Sequence, residues 1–380
     1  MLTPTLTDYI KRHLKRTVSA LIEDVLLLIL LVALIVLTLI APDKISSYPS
    51  LVDWPTIAAL TGLLILTKGL EVSGSLHRLG LYLTTLMATE RATALCFVMA
   101  AAMLSTLLTN DVALFVVVPL TLGVCRLNGM PASKLIIFEA LAVNAGSALT
   151  PIGNPQNLFL WQLSGVSFGQ FVLHMLPLVL LLVAAMIALT IFIFPNKAVS
   201  DNQDKSTAQA LDRHLFIASI ALYIPFLIAT DLHQTVWAIA AVILIFLLVR
   251  PKVLTQVDWG LLLVFILMFI DLRLFVSLDV VHHLISRLDL NITRRLYWTS
   301  IVASQVISNV PAAIALAEYS KDWRVLAYGV NIGGFGFMVG SLANLIALRM
   351  ARDRKAWLVF HYYSVPFLCF AMAAAYVLIF

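Results

Sequence analysis

The chain has 380 residues, 61% of them hydrophobic and 12% charged, with a mean hydropathy of +0.99. That balance excludes a soluble globular protein and predicts an all-α polytopic membrane protein. The net charge of +5 points to basic loops at a lipid bilayer rather than to nucleic acid, and Cys96, Cys125 and Cys369 show neither metal-ligand spacing nor a disulfide framework.

Lys11, Arg12, Lys15 and Arg16 precede an apolar run from Val25 to Ala41. The run is longer than a secretory h-region and Ala41-Pro42 is a poor cleavage site, so it reads as an uncleaved first span with a cytoplasmic N-terminus. A polar loop, Pro42 to Asp53, leads to a second run, Trp54 to Val72, with Lys68 and Glu71 at its end. Ser73 to Glu90, with His77, Arg78 and Glu90 among leucines, reads as an amphipathic interfacial piece. Ala92–Leu108 and Val112–Val124 are apolar arms on either side of Thr109-Asn110-Asp111. The second arm has 13 residues, about 20 Å of helix against a hydrocarbon core of about 30 Å. It therefore predicts a re-entrant hairpin, with a full crossing as the alternative.

Lys134 to Leu163 is a spanning segment broken by Asn144-AlaGlySerAlaLeuThrProIleGlyAsnProGlnAsn-Leu158. Lipid offers no hydrogen-bond partners, so unwound backbone at membrane depth lines a cavity or packs within protein. A long span follows, Phe168 to Phe194, with His174 and Pro177 inside it, then a polar linker from Pro195 to Asp212, then spans at Arg213–Ala229 and Gln234–Val249. The second half opens at Asp258-Trp259 with a span carrying Asp271 and Arg273, then an interfacial piece with His282, His283 and Arg287. A second hairpin centres on Ser308-Asn309-Val310-Pro311, a second break lies within Arg324–Leu348, and the last span is Trp357–Phe380. His174 and His361 read as packed histidines rather than proton relays.

The halves look like copies. Asn144-x-Gly146-x6-Gly153-x3-Asn157-Leu158 recurs without a gap as Asn331-x-Gly333-x6-Gly340-x3-Asn344-Leu345, Asp53-Trp54 matches Asp258-Trp259, and Asn110 matches Asn309. With nine crossings, two hairpins and the N-terminus inside, 17 of the 25 Lys and Arg residues fall on the cytoplasmic side, six outside and two within spans. The repeats then begin on opposite sides, an inverted-topology repeat with two re-entrant hairpins and two broken transmembrane helices, the build that places a site between paired breaks. The divisions expected are 1–53 (N-terminus and first span), 54–195 (first repeat), 196–257 (linker and two connecting spans) and 258–380 (second repeat), with the C-terminus periplasmic.

Unwound backbone frees N–H and C=O groups, and Asn and Gln add neutral donors and acceptors without the full cost of burying a charge. The candidate substrate- and ion-binding residues are Thr109, Asn110, Asp111, Thr150, Gly153, Asn154, Gln156, Asn157, Ser308, Asn309, Gly340, Ser341 and Asn344. Asp111 and Glu139 are candidates for proton coupling, because a mid-membrane carboxylate costs about 2.5–3.5 kcal/mol and is paired, protonated or functional. The bland alternatives are helix–helix packing for the glycines and amides, helix capping for Asp111, and interfacial solvation for Glu139. Lys68, Glu71, Asp271 and Arg273 read as paired or snorkelling near span ends.

At these residues the chain resembles the ion transporter superfamily of arsenite pumps, sodium/proton antiporters and citrate and dicarboxylate carriers. Thr109-Asn110-Asp111 and Ser308-Asn309-Val310-Pro311 are similar to the hairpins of its arsenite-pump and P-protein branch, and Val339-Gly340-Ser341-Leu342-Ala343 to that branch's second break. The match also looks like uncharacterised bacterial inner-membrane members near the citrate carriers. The carboxylate branch carries Ser-Asn-Thr at both hairpins, from which this chain departs. The resemblance implies a secondary transporter, often a homodimer, working as an elevator. The expectation is transport of a small anion or oxyanion-like solute, of citrate/carboxylate or arsenite type, across the bacterial inner membrane, with H+ or Na+ as coupling ion and no cofactor. A cation/proton antiporter using Asp111 is the alternative, and a channel or membrane-embedded enzyme more remote, since the catalytic sets such an enzyme needs are missing.

Overall fold

The computed structural model describes residues 25–76, 78, 89–128, 130–198, 211–351, 353 and 355–380. The N-terminal basic cluster, most of the interfacial piece after Ser73 and most of the polar linker lie outside the described residues. Within them the chain forms helices and no named strand, with one isolated bridge between Thr89 and Ala198.

The principal helices are α1 (Val25–Ile40), α2 (Trp54–Val72), α3 (Glu90–Leu107), α4 (Asn110–Asn128), α5 (Ala132–Ser147), α6 (Pro155–Ser164), α7 (Phe168–Ile193), α8 (Arg213–Asp231), α9 (Thr235–Val249), α10 (Trp259–Val276), α11 (Asp279–Ser286), α12 (Thr293–Ile307), α13 (Asn309–Ala317), α14 (Trp323–Ile332), α15 (Leu342–Ala351) and α16 (Ala356–Ile379). Six of them, α2, α3, α7, α8, α10 and α16, are at least 18 residues long and apolar enough to cross a membrane. The fold is all-α and polytopic.

The Asp-Trp landmarks explain themselves as helix starts. Asp53 Oδ1 accepts from Thr56 N at 3.0 Å, and Asp258 Oδ1 from Leu261 N at 3.0 Å, each capping a free N–H of the first turn. Both indoles donate five residues back, Trp54 Nε1 to Pro49 O at 2.8 Å and Trp259 Nε1 to Leu254 O at 2.9 Å. The cations expected near span ends are paired, Lys68 with Glu71 at 2.7 Å and Arg273 with Glu318 at 2.8 Å. Asp271 is different: it is buried and both its carboxyl oxygens lack a partner among the described residues.

One arm is longer than its hydropathy suggested. α4 runs 19 residues to Asn128, about 28 Å, because the helix continues past the apolar run through Cys125, Arg126, Leu127 and Asn128. Its counterpart α13 has nine residues, about 14 Å, far short of the hydrocarbon core.

Packing repeats along with sequence. α3 and α4 close on α5 in the first half as α12 and α13 close on α14 in the second. Across the halves the pairing is exchanged: α5 and α4 pack on α15, while α14 and α13 pack on α6. Each half therefore lends its second half-helix to the other. α5 is buried without interruption from Leu135 to Ser147. Close approach there requires glycine, since a Cβ on Gly146 would collide with the Ala102 carbonyl and one on Gly333 with the Ser304 side chain.

Candidate functional site

The two breaks meet at the centre of the molecule, and amides join them. Asn144 Nδ2, at the end of α5, donates to Asn344 Oδ1 on α15 at 2.7 Å. At the matching place Asn331 Nδ2, at the end of α14, donates to Asn157 Oδ1 on α6 at 2.7 Å. The third members match as well: Ser341 Oγ donates to Asn144 Oδ1 at 3.0 Å, and Asn154 Nδ2 to Asn331 Oδ1 at 3.0 Å. The fourth set repeats too, with Asn344 Nδ2 on Gly334 O at 2.9 Å and Asn157 Nδ2 on Ser147 O at 3.3 Å. Asn157 Nδ2 also reaches Ala148 O and Thr150 O at 3.1 and 3.2 Å, so one amide gathers the carbonyls that unwinding set free. Every one of these Asn and Ser side chains is buried.

The hairpin tips sit against the breaks. Asn110 N donates to Gly153 O at 2.8 Å, and Asn110 Oδ1 accepts from Asp111 N at 3.0 Å. Thr109 and Asp111 are buried beside it. In the second half Asn309 Nδ2 lies near Gly334, whose Cβ position is also close to Asn144 Oδ1. Ser308, half-buried, turns the tip at φ +74°, in the left-handed region that only a specific packing maintains in a serine. Gly153 and Gly340 leave room for the carbonyls of Ser147 and Gly333.

Each break loop is fastened to its own hairpin at corresponding positions. Thr150 Oγ1 donates to Thr106 O at 2.7 Å. In the second half Gln305 Nε2 donates to Gly333 O at 2.7 Å and Phe335 O at 2.9 Å, while its Oε1 accepts from Phe337 N at 2.8 Å. Ser364 Oγ and His361 Nε2 of α16 accept from Gly336 N and Met338 N at 2.8 and 3.3 Å. His361 thus serves the loop from the packed position expected of it.

The candidate residues Asn154, Asn157, Ser341 and Asn344 are brought together, with Asn110, Gly153, Thr150, Asn309 and Gly340 around them. In this state the amides bond to one another. Two buried acceptors at the first tip and break have no partner among the described residues, Asp111 Oδ1 and Gln156 Oε1, and both lie within three residues of the Asn110–Gly153 bond. Glu139 is not part of this group. It is fully buried in the half of α5 away from the break, where Thr121 Oγ1 of α4 donates to Oε1 and Oε2 has no partner among the described residues. Interfacial solvation therefore does not describe it.

Sequence reasoning singled out Asn144 and Asn331 as landmarks of the repeat without placing them in the site. Their recurrence at matched breaks was the available signal. Gln305 carried none, because its first-half counterpart is a backbone carbonyl. At the surface, the Lys355 backbone N–H and then the Ser133 side chain hold the exposed Asp353 carboxyl below its ordinary range.

The model of the citrate transporter family matches residues 16–326, and the chain belongs to that family. It is 46% identical over 343 residues to the inner membrane protein YbiR of Escherichia coli, covering 90% of this chain and 92% of that one. It is 32% identical over 323 residues to an uncharacterized transporter of Methanocaldococcus jannaschii, covering 84% and 86%. A silicon efflux transporter of Oryza sativa subsp. japonica is 32% identical over 165 residues, 43% of this chain and 32% of that one. The chain is a membrane transporter rather than an enzyme, and a multi-pass inner-membrane protein.

Proposed function

We propose that this family member is a secondary active transporter for a small anion or oxyanion-like solute, of citrate/carboxylate or arsenite type, coupled to a proton or sodium gradient. The observation that carries the reading is the pair of buried acceptors, Asp111 Oδ1 and Gln156 Oε1, without a partner among the described residues where the first hairpin tip meets the first break. Leaving such oxygens unpaired costs about 1–3 kcal/mol each, more for a charged group, so they are suited to a coupling cation, a proton or solute hydroxyls. The rice relative, named as a silicon efflux transporter, keeps oxyanion-like solutes beside carboxylates in this reading.

The second reading, a cation/proton antiporter using Asp111, is favoured by one fact: residues 135–164 and 325–348 contain no Lys, Arg or His. A multiply charged anion held at the breaks would meet no cationic side chain within those stretches, since Lys134, Arg324 and Arg349 lie at the far ends of the broken helices. Elevator movement, re-entry of the hairpins, a cytoplasmic N-terminus with a periplasmic C-terminus, and a homodimer belong to the same proposal. The short α13 supports re-entry for the second hairpin.

The test is uptake of labelled citrate, a dicarboxylate and arsenite into proteoliposomes, with sodium replaced by choline and the pH gradient collapsed in turn. Asp111→Asn is expected to abolish the ion dependence. Unchanged sodium and pH dependence in that variant would remove Asp111 from the mechanism.

A further inference from the structure

Glu139 is an acid on a membrane helix with no cation bonded to it among the described residues. It is fully buried on α5, and its one hydrogen-bond partner among those residues is the Thr121 hydroxyl of α4. The α4 face carrying Thr121 is an apolar stripe of Leu114, Val117, Val118 and Val124, with Cys125 at its end. An ionised carboxyl in such a place costs more than one hydroxyl returns.

The other helices packed on α5 are α3, α7, α15 and α16, and their charged groups are engaged or turned elsewhere. On α3, Arg91 Nε donates to Phe194 O at 2.9 Å, while Lys134 of α5 itself donates to Ile193 O at 3.1 Å. Arg349 of α15 is exposed, and Arg126 of α4 falls off the stripe by helix register. On α16, Tyr363 packs on Phe138 and His361 serves the break loop, and α7 has no titratable residue beyond His174. Cys125 lies within electrostatic reach of Glu139, and Glu90 of α3 within reach of Cys125; Cys96 is the remaining titratable group on α3.

Packing does not require an acid here. The register that relates Asn144 to Asn331 puts Leu326 at the matching place on α14, and Leu326 is likewise buried. Thr121 suits a group that changes charge, since a hydroxyl donates to a carboxylate or accepts from an acid, whereas Lys or Arg would hold the anion.

We propose that Glu139 is a proton-binding residue separate from Asp111, holding a proton on Oε2 in this state and exchanging it with water when α4 parts from α5. Its use in coupling rests on the transport reading above; the proton seat does not. On release the Oε2–H bond breaks, water takes the proton, and Thr121 donates to the carboxylate left behind. Along α5, Glu139 is five residues from Asn144, about 8 Å, so a movement that carries the break carries this proton with it. Along α4, Thr121 is ten residues from Asp111, about 15 Å, which sets the two acids apart.

The test is infrared spectroscopy of the protein in lipid nanodiscs at neutral pH. Glu139→Gln is expected to remove one protonated-carboxyl C=O band that Asp111→Asn and Asp271→Asn both leave in place. Thr121→Val should move that band to higher frequency, because the C=O loses its hydrogen bond, and heavy water should shift it in the parent protein within minutes. A set of bands unchanged by Glu139→Gln, or a band that never exchanges in heavy water, overturns the inference. If Glu139→Gln does not fold, the Thr121→Val shift decides, and its absence counts against the proposal. In proteoliposomes that take up citrate, a dicarboxylate or arsenite, Glu139→Gln is expected to cut the protons moved per solute at least twofold; an unchanged ratio would overturn the coupling role. Failure of every uptake assay beside a lost and exchanging band would sink the transport reading and leave the proton seat standing.

Discussion

Asn144 and Asn344 stand 200 positions apart in the chain and 2.7 Å apart in space. Removing either leaves a buried amide unpaired, at about 1–3 kcal/mol. Asn144→Ala and Asn344→Ala are each expected to lower the thermal midpoint in detergent, and the double variant to lower it by clearly less than the sum, as for partners in one bond. Simple additivity would show that the bond contributes nothing. The recurrence of these residues was legible, but the crossing was not, because spacing within a repeat does not say which half supplies the partner. Gln156 behaves oppositely. Its Oε1 has no partner among the described residues, so Gln156→Leu should leave the unfolding free energy within about 1 kcal/mol of the parent while raising the KM for the carried solute at least tenfold. A large loss of stability with unchanged KM would make it a packing residue.

The half-helices were legible because Asn, Gly and Pro interrupt apolar runs at matched positions, which puts the first half-helix end at Leu149 and the second break within 324–348; the helices end at Ser147 and Ile332. The length of α4 was not, since the helix keeps its hydrogen bonds through residues whose hydropathy signals an end. Glycine separates the two kinds of helix surface. Gly146→Ala drives a methyl into the Ala102 backbone, which cannot rotate aside, and is expected to cost about 1–3 kcal/mol or more. Gly123→Ala, on α4 with nothing within 4 Å, should be neutral or stabilising by about 0.4–1 kcal/mol. Thermal melts of the two variants side by side check this, and equal destabilisation would contradict the close approach of α3 and α5.

At the scale of the whole molecule, composition announced a membrane protein and the repeat announced a centre, while the exchange of half-helices between the halves had no sequence signal at all. A solute held at that centre touches both halves at once, so binding at a hundred times its dissociation constant should stabilise the protein by about 2.7 kcal/mol. A thermal-shift series with citrate, dicarboxylates, arsenite and sodium is expected to single out one of them. The exchanged amides also set a schedule for biogenesis. Asn144 is threaded into the bilayer about 10–40 s before the ribosome has made Asn344, at about 5–20 residues per second. Throughout that interval the newborn first half holds the Asn144 and Asn157 amides without the partners that Asn344 and Asn331 supply, and lipid cannot satisfy them. It must wait beside an insertase or in contact with water, and a chain cut short before residue 331 is raw material for membrane proteases rather than half a transporter.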